Sequence, residues 1–154
     1  MGLTPDQRRF WREYVDTLSP ENRPDGSVIA ACPGSPDIAD QLIDLYLSGK
    51  KIAGSGLVED YSRAGDPLPK IGDHWIALGS DGDPRCILRT VDVETHLFKD
   101  VPERIAVAEG EGDLSLAYWK RAHAEHFRPH LSRWGVTDIE QATVITEFFA
   151  LAHR

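Results

Sequence analysis

Between His74 and Phe98 the chain reads HWIALGSDGDPRCILRTVDVETHLF, two strand-like runs with Asp81-Gly82 between them. Asp-Gly between such runs is a strong short-range hairpin signal, because both residues tolerate the positive φ that a tight turn needs. A hairpin of this length needs a partner layer for its apolar face. Ile87, Val91 and Val93 fall on one face, with Arg89 interrupting it, and Cys86 reads as a small core residue. The segments on either side of the hairpin have helical rather than alternating periodicity. No internal repeat or low-complexity linker divides the 154 residues. The expectation is one α+β domain.

The helices announce themselves by their ends. Thr4, Pro5 and Gln7 predict a capping box and a first turn, and Phe10, Trp11, Tyr14, Val15 and Leu18 follow on one face until Ser19-Pro20. Residues 20–34 read as a loop with a short strand at SVIAAC. Ser35 and Pro36 predict a second start, Ile38, Leu42, Leu45 and Tyr46 recur at helical spacing with Ile43 and Leu47 widening the stripe, and Gly49 suits the C-terminal cap. KKIAGSGLVEDY should continue as a short strand or loop, and AGDPLPKIGD as a turn-rich connection. A short helix is expected near Asp100, closed by Gly110 and Gly112. A longer one should begin at Asp113 as cap, with Pro129 kinking or splitting it, and TVITEFFALA should close the chain as a strand.

Charge narrows the partners. The net charge is −8, so the global field repels a long polyanion. A nucleic-acid contact must be local and short, or the ligand must be small and weakly charged. No apolar run is long enough to span a bilayer, and the N-terminal segment lacks the pattern of a secretion signal. The two cysteines, Cys32 and Cys86, form no CxxC pair and suit reduced thiols in the cytoplasm.

Against that acidity stands SGKKIAGSG, Ser48 to Gly56, with adjacent lysines among small residues. One reading is a basic pair complementing a helix C-terminus. The other is a lysine presented by a glycine-rich turn into a cleft, where a desolvated amine acts as base or nucleophile and a charged one holds a phosphate. No Gly-Lys-Ser/Thr occurs, so the turn is not a P-loop. In AEGEGD, Glu109 is either part of an acidic turn or an acid/base group. His123 and His126 flank Glu125 in HAEH, which is neither zincin spacing, and no metal is expected there. His74 and His96 read as structural. Trp11, Trp75, Trp119 and Trp134 are core residues or stacking faces for a base. SDGDP lacks the glutamate that closes a calcium loop and reads as a turn.

GKKIAGSGL, then PLPKIGDHWIAL, then AEGEGDLSLAYWKRAH, followed by the closing strand, resemble in order and spacing the ASCH domain, in its bacterial branch of stand-alone small proteins. The resemblance spans roughly residues 35 to 152, and EGEGDLSLAYW is its most specific part. It divides the chain into a 1–34 helix-and-loop extension packed on a 35–154 ASCH domain. It implies a PUA-like mixed β-barrel surrounded by helices, with a cleft beside the barrel. It also implies RNA binding or hydrolysis: either a ribonuclease on single-stranded RNA or an amidohydrolase on N4-acylated cytidine, with a non-catalytic RNA- or nucleotide-binding module as the alternative. The amidohydrolase pattern is G-x-K-x-x-T with a distant glutamate. Gly49 and Lys51 match its first two positions, and Glu109 matches the glutamate. Gly54 stands where the pattern has threonine, and Ser55 follows it. Lys51, Glu109 and Ser55 are the expected catalytic residues, and Gly54, Lys50, Tyr61 and Trp75 the expected substrate-binding ones. If the turn alternates as a strand does, Lys51 faces the cleft and Lys50 faces out. No cofactor is implied, and the expected state is a cytoplasmic monomer or homodimer.

Overall fold

The computed structural model describes residues 2–24 and 28–154. Its strands are β1 (Val28–Ala31), β2 (Ala53–Leu57), β3 (His74–Leu78), β4 (Pro84–Leu97) and β5 (Thr143–His153), in the sheet order β1-β3-β4-β5-β2. Its helices are α1 (Pro5–Val15), α2 (Ala39–Leu47), α3 (Val58–Ala64), α4 (Glu103–Glu109) and α5 (Leu116–Phe127). The sheet is mixed, since β1 runs parallel to β3 while β3–β4 and β2–β5 are antiparallel. The chain forms two compact units. The first comprises residues 1–49, 71–91 and 149–154, and the second comprises residues 50–70 and 92–148.

In the first unit, α1 starts where the sequence places it. Thr4 Oγ1 accepts from the Gln7 N–H at 3.2 Å and the Gln7 side chain accepts from the Thr4 N–H at 3.0 Å. Its apolar stripe packs on Ile76 and Ile87 through Phe10, Trp11, Tyr14 and Val15. α2 instead begins at Ala39, because Ser35 to Ile38 close a turn (Ile38 N–H to Ser35 O, 3.1 Å). Ser35 is therefore no cap. Gly49 does sit in the left-handed region, at φ 79°, past the helix end. Ile43 and Tyr46 of α2 pack with Ala77, Cys86, Leu88 and Phe149. The hairpin forms as expected, with Gly82 at φ 85°. Its faces differ from the expected ones: Cys86, Ile87, Leu88 and Thr90 are buried and Val91 is 42% exposed. A central strand covered on both faces loses the alternation that would have marked one inner face. Ser27 of the expected SVIAAC strand lies outside the described residues, and β1 covers Val28–Ala31.

In the second unit, β2 pairs with β5 over Ala53↔Phe148 to Leu57↔Val144. Leu57, Phe98, Val101, Ile105, Trp119, Phe127 and Val144 make its core. Leu57 is followed at once by α3, where the sequence suggested only strand or loop. The acids Glu59 and Asp60 occupy its first turn, Arg63 its last, and Gly65 caps it at φ 75°. α5 is capped by Ser115, which accepts from the Tyr118 N–H at 3.0 Å. Asp113 sits before the cap and accepts from the Ser115 N–H instead. Pro129 ends α5, and the chain continues from Arg128 as a short 3-10 turn.

Candidate active site

The site lies within the second unit, and a close backbone approach builds it. The Ile52 N–H donates to the Ala108 carbonyl at 2.8 Å. Gly110, ending α4 at φ 71°, lies so near the Lys50 carbonyl that a Cβ would stand 2.1 Å from its oxygen. Only glycine fits there. The incoming segment then alternates: Lys50 is exposed, Lys51 buried, Ile52 exposed and Ala53 buried. Lys51 therefore turns toward the end of α4, where Glu109 is 2% exposed.

Lys51 Nζ reaches Glu111 Oε2 at 2.9 Å, the Glu109 carbonyl at 3.3 Å and Glu109 Oε1 at 3.5 Å. It is bonded as an ammonium. Two residues further along β2 than Ala53, Ser55 donates to Glu109 Oε2 at 2.8 Å and meets Thr146 Oγ1 at 2.7 Å. Thr146 is fully buried and stands directly opposite Ser55 in the β2–β5 register. Since Ser55 gives its proton to Glu109, the Thr146 hydroxyl donates to Ser55, and the three form a directed chain.

The far side of Glu109 is closed by α5. Trp119 and His123, four residues apart, stack with ring centroids 4.0 Å apart and planes at 18°. The Trp119 indole N–H donates to Glu109 Oε2. His123 Nε2 lies 3.3 Å from Glu109 Oε1, and its Nδ1 lies 2.9 Å from the Trp119 carbonyl. Both ring nitrogens thus face oxygen atoms.

Burial pushes the Glu109 carboxyl up. The hydrogen bond and charge of His123, the charge of Lys51 and the Trp119 N–H push it down further, and the balance leaves it at about 2 instead of 4.5. At neutral pH Glu109 is a carboxylate with no proton to give. It accepts, orients and holds charge. Beside it lies a small pocket lined by Ala106, Glu109, Glu111, Tyr118, Trp119 and His123 with Ala122.

A family model described as the ASCH domain matches residues 27–153. The chain belongs to the ASCH domain family. The crystal structure of an ASCH domain from Lactobacillus crispatus is 29% identical and superposes with a TM-score of 0.91 over 100% of this chain and 98% of that one. A protein from Enterococcus faecalis is 28% identical, with a TM-score of 0.78 over 95% of this chain and 87% of that one. An ASCH protein from Zymomonas mobilis, 10% identical with a TM-score of 0.50 over 80% of this chain and 66% of that one, shares the fold. Among curated proteins there is no match. The architecture is the α+β, PUA-like one that the resemblance implied.

In this ASCH domain, Lys51, Ser55 and Glu109 come together. Gly54 and Ser55 are successive strand residues and point to opposite faces, and it is Ser55 that faces Glu109. Lys50 is exposed, pointing away from the cluster. Tyr61, on α3, packs near Gly56, and burial, helped by the charges of Glu147, Asp60 and Asp66, pushes its hydroxyl to about 12. Trp75 belongs to the first unit, packs with Tyr46 and Phe149, and donates its N–H to the Ala31 carbonyl at 3.0 Å. Of the expected site residues only Glu109 lines this pocket; Lys51 and Ser55 reach it through their contacts with Glu109, and Gly54, Lys50, Tyr61 and Trp75 do not line it. Sequence reasoning passed over Thr146, Trp119, His123 and Glu111 as members of the site. The four-residue spacing of Trp119 and His123 was the available signal; for Thr146 there was none, since strand register is not written in either strand alone. Among the described residues, no group of three His, Cys, Asp or Glu side chains is placed to hold a metal ion, and no helix is long and apolar enough to cross a membrane.

Proposed function

We propose that this ASCH domain is a hydrolase that removes the acyl group from an N4-acylated cytidine, with Lys51, Ser55 and Glu109 as its catalytic residues. The observation that carries the reading is the convergence of an ammonium, a hydroxyl and a buried carboxylate on one another: Lys51 Nζ and Ser55 Oγ lie 3.5 Å and 2.8 Å from the two oxygens of Glu109. A water held by Ser55 and Glu109 adds to the acyl carbonyl, forming a C–O bond. The tetrahedral oxyanion is stabilised by the Lys51 ammonium. The C–N bond breaks, the proton from water passes to the departing amine, and the products are a carboxylic acid and cytidine. Because Glu109 is a poor base, it contributes by orienting Ser55 and holding Lys51 charged.

Cleavage of single-stranded RNA is the other hydrolytic reading that the ASCH resemblance supports. It suits this pocket less well. Glu109 and Glu111 both line it, and a phosphodiester would have to approach two carboxylates in a chain of net charge −8. The free thiols of Cys32 and Cys86 suit a cytoplasmic setting. The test offers N4-acetylcytidine and a short single-stranded RNA separately to the purified protein. Deacylated cytidine is the expected product. RNA fragments with no cytidine would move the assignment to a ribonuclease. Salt-sensitive RNA binding with no product from either would leave a binding module.

A further inference from the structure

Glu111 has no part in the reaction as proposed, yet its Oε2 lies 2.9 Å from Lys51 Nζ, nearer than either Glu109 contact. Its side chain is 28% exposed, while those of Lys51 and Glu109 are 4% and 3% exposed. It is the most exposed of the three, it lines the pocket beside Tyr118 and Trp119, and its carboxylate links that pocket to the buried Lys51 ammonium. Its placement is built into the backbone. Gly110 is locked against Lys50, and a Cβ on Gly112, at φ 60°, would strike the Tyr118 ring at 2.5 Å. Two glycines in the left-handed region flank a carboxylate that contacts the lysine.

We infer that Glu111 is a specificity-determining charge filter: its carboxylate occupies the anion position on Lys51 and admits uncharged nucleosides while turning away their phosphates. A phosphate approaching Lys51 must displace Glu111 and then remain beside it and Glu109, so it meets like charge twice. An uncharged acylated base meets no such repulsion. Its carbonyl needs only a share of the Lys51 donors, and Glu111 remains to accept from an N–H of the ligand. The inference deepens the nucleoside reading above and rests on it for the identity of the pocket's ligand. The filter itself concerns anions and is tested without turnover.

The experiment measures binding by calorimetry for the full chain and for Glu111→Gln, which keeps an acceptor for Lys51 and removes the charge. The probes are inorganic phosphate, N4-acetylcytidine and N4-acetylcytidine 5′-monophosphate. Glu140→Gln removes an equal charge at an exposed position and controls for net charge. The filter predicts that Glu111→Gln tightens phosphate and the 5′-monophosphate by about tenfold or more, about 1.4 kcal/mol, while the uncharged nucleoside changes by less than about threefold and Glu140→Gln changes nothing. Tighter phosphate with no binding of acetylcytidine by any variant would uphold the filter and remove the nucleoside reading. Unchanged phosphate affinity in Glu111→Gln, or an equal gain in Glu140→Gln, would overturn the filter whatever the nucleoside does.

Discussion

Each of the two compact units buries a polar group among aromatic rings, and the two clusters differ in kind. In the first unit His74, 6% exposed, takes one hydrogen bond from Tyr14 at 3.3 Å and lies edge-on to Trp11. Burial holds it neutral by lowering its pKa, opposed by the Gly72 hydrogen bond and aided by the charge of Arg89. Packing explains it. In the second unit a full charge is buried, and Lys51, Ser55, Trp119 and His123 all serve the Glu109 carboxylate. A buried ion pair loses several kcal/mol of hydration per ion, and apolar residues of the same volume stabilise a fold at least as well. Stability alone is therefore a weak explanation of the second cluster. The comparison teaches that the informative burial is the one that costs the fold most and leaves an opening to solvent beside it.

The comparison can be broken first at Lys51. Lys51→Ala leaves Glu109 buried with its charge and without the Lys51 ammonium, and should destabilise the protein by about 3–5 kcal/mol, read from urea unfolding. A loss below about 1 kcal/mol would mean that the pair contributes no more than an exposed one does.

Acid separates the clusters next. Glu109 is depressed from 4.5 to about 2, so its contribution is complete above pH 4.5 and is lost as pH falls from there toward 2. Its size is on the order of 3 kcal/mol. His74 is also depressed, from 6.5. The unfolded chain takes up its proton before the folded one does, so stability begins to fall as pH drops below 6.5. Glu109→Gln should shrink the lower window, leaving the smaller part due to Asp40, Asp81, Glu94 and Asp113, and should leave the upper one. A stability profile flat between pH 4.5 and 3 in the wild type would contradict the assignment of Glu109.

Smaller effects sharpen the picture. Thr146→Val removes the donor to Ser55 inside the sheet and should cost about 1–2 kcal/mol while lowering deacylation through Ser55. Tyr14→Phe removes the hydroxyl that meets His74, should cost about 1 kcal/mol, and should leave deacylation unchanged. Equal effects of the two substitutions on turnover would erase the distinction between the clusters.

Much of this was legible in the sequence, for local reasons. The capping box at Thr4, the Asp81-Gly82 hairpin and the C-terminal glycines at 49 and 110 are short-range signals, and the structure uses all of them. Lys51 stood out in its glycine-rich turn, and the ASCH resemblance matched it and Glu109 to catalytic positions. What was hidden depends on register and packing. Ser55 meets Thr146 only because β2 and β5 pair in one particular register. His123 was weighed as a metal ligand because HAEH suggested one, while its real partner lay on the preceding helix. α2 begins late because Pro36 and Asp37 close a turn, and α3 was missed because its acids and Gly65 sit in a segment too short to show helical periodicity.

The most direct test of the central claim is the rate of N4-acetylcytidine deacylation by the wild type beside Lys51→Ala, each shown to be folded by circular dichroism at the assay temperature. The account predicts turnover by the wild type and a fall of at least about a hundredfold in kcat/KM for the variant. Full turnover by folded Lys51→Ala would show that the cluster around Glu109 is not the active site.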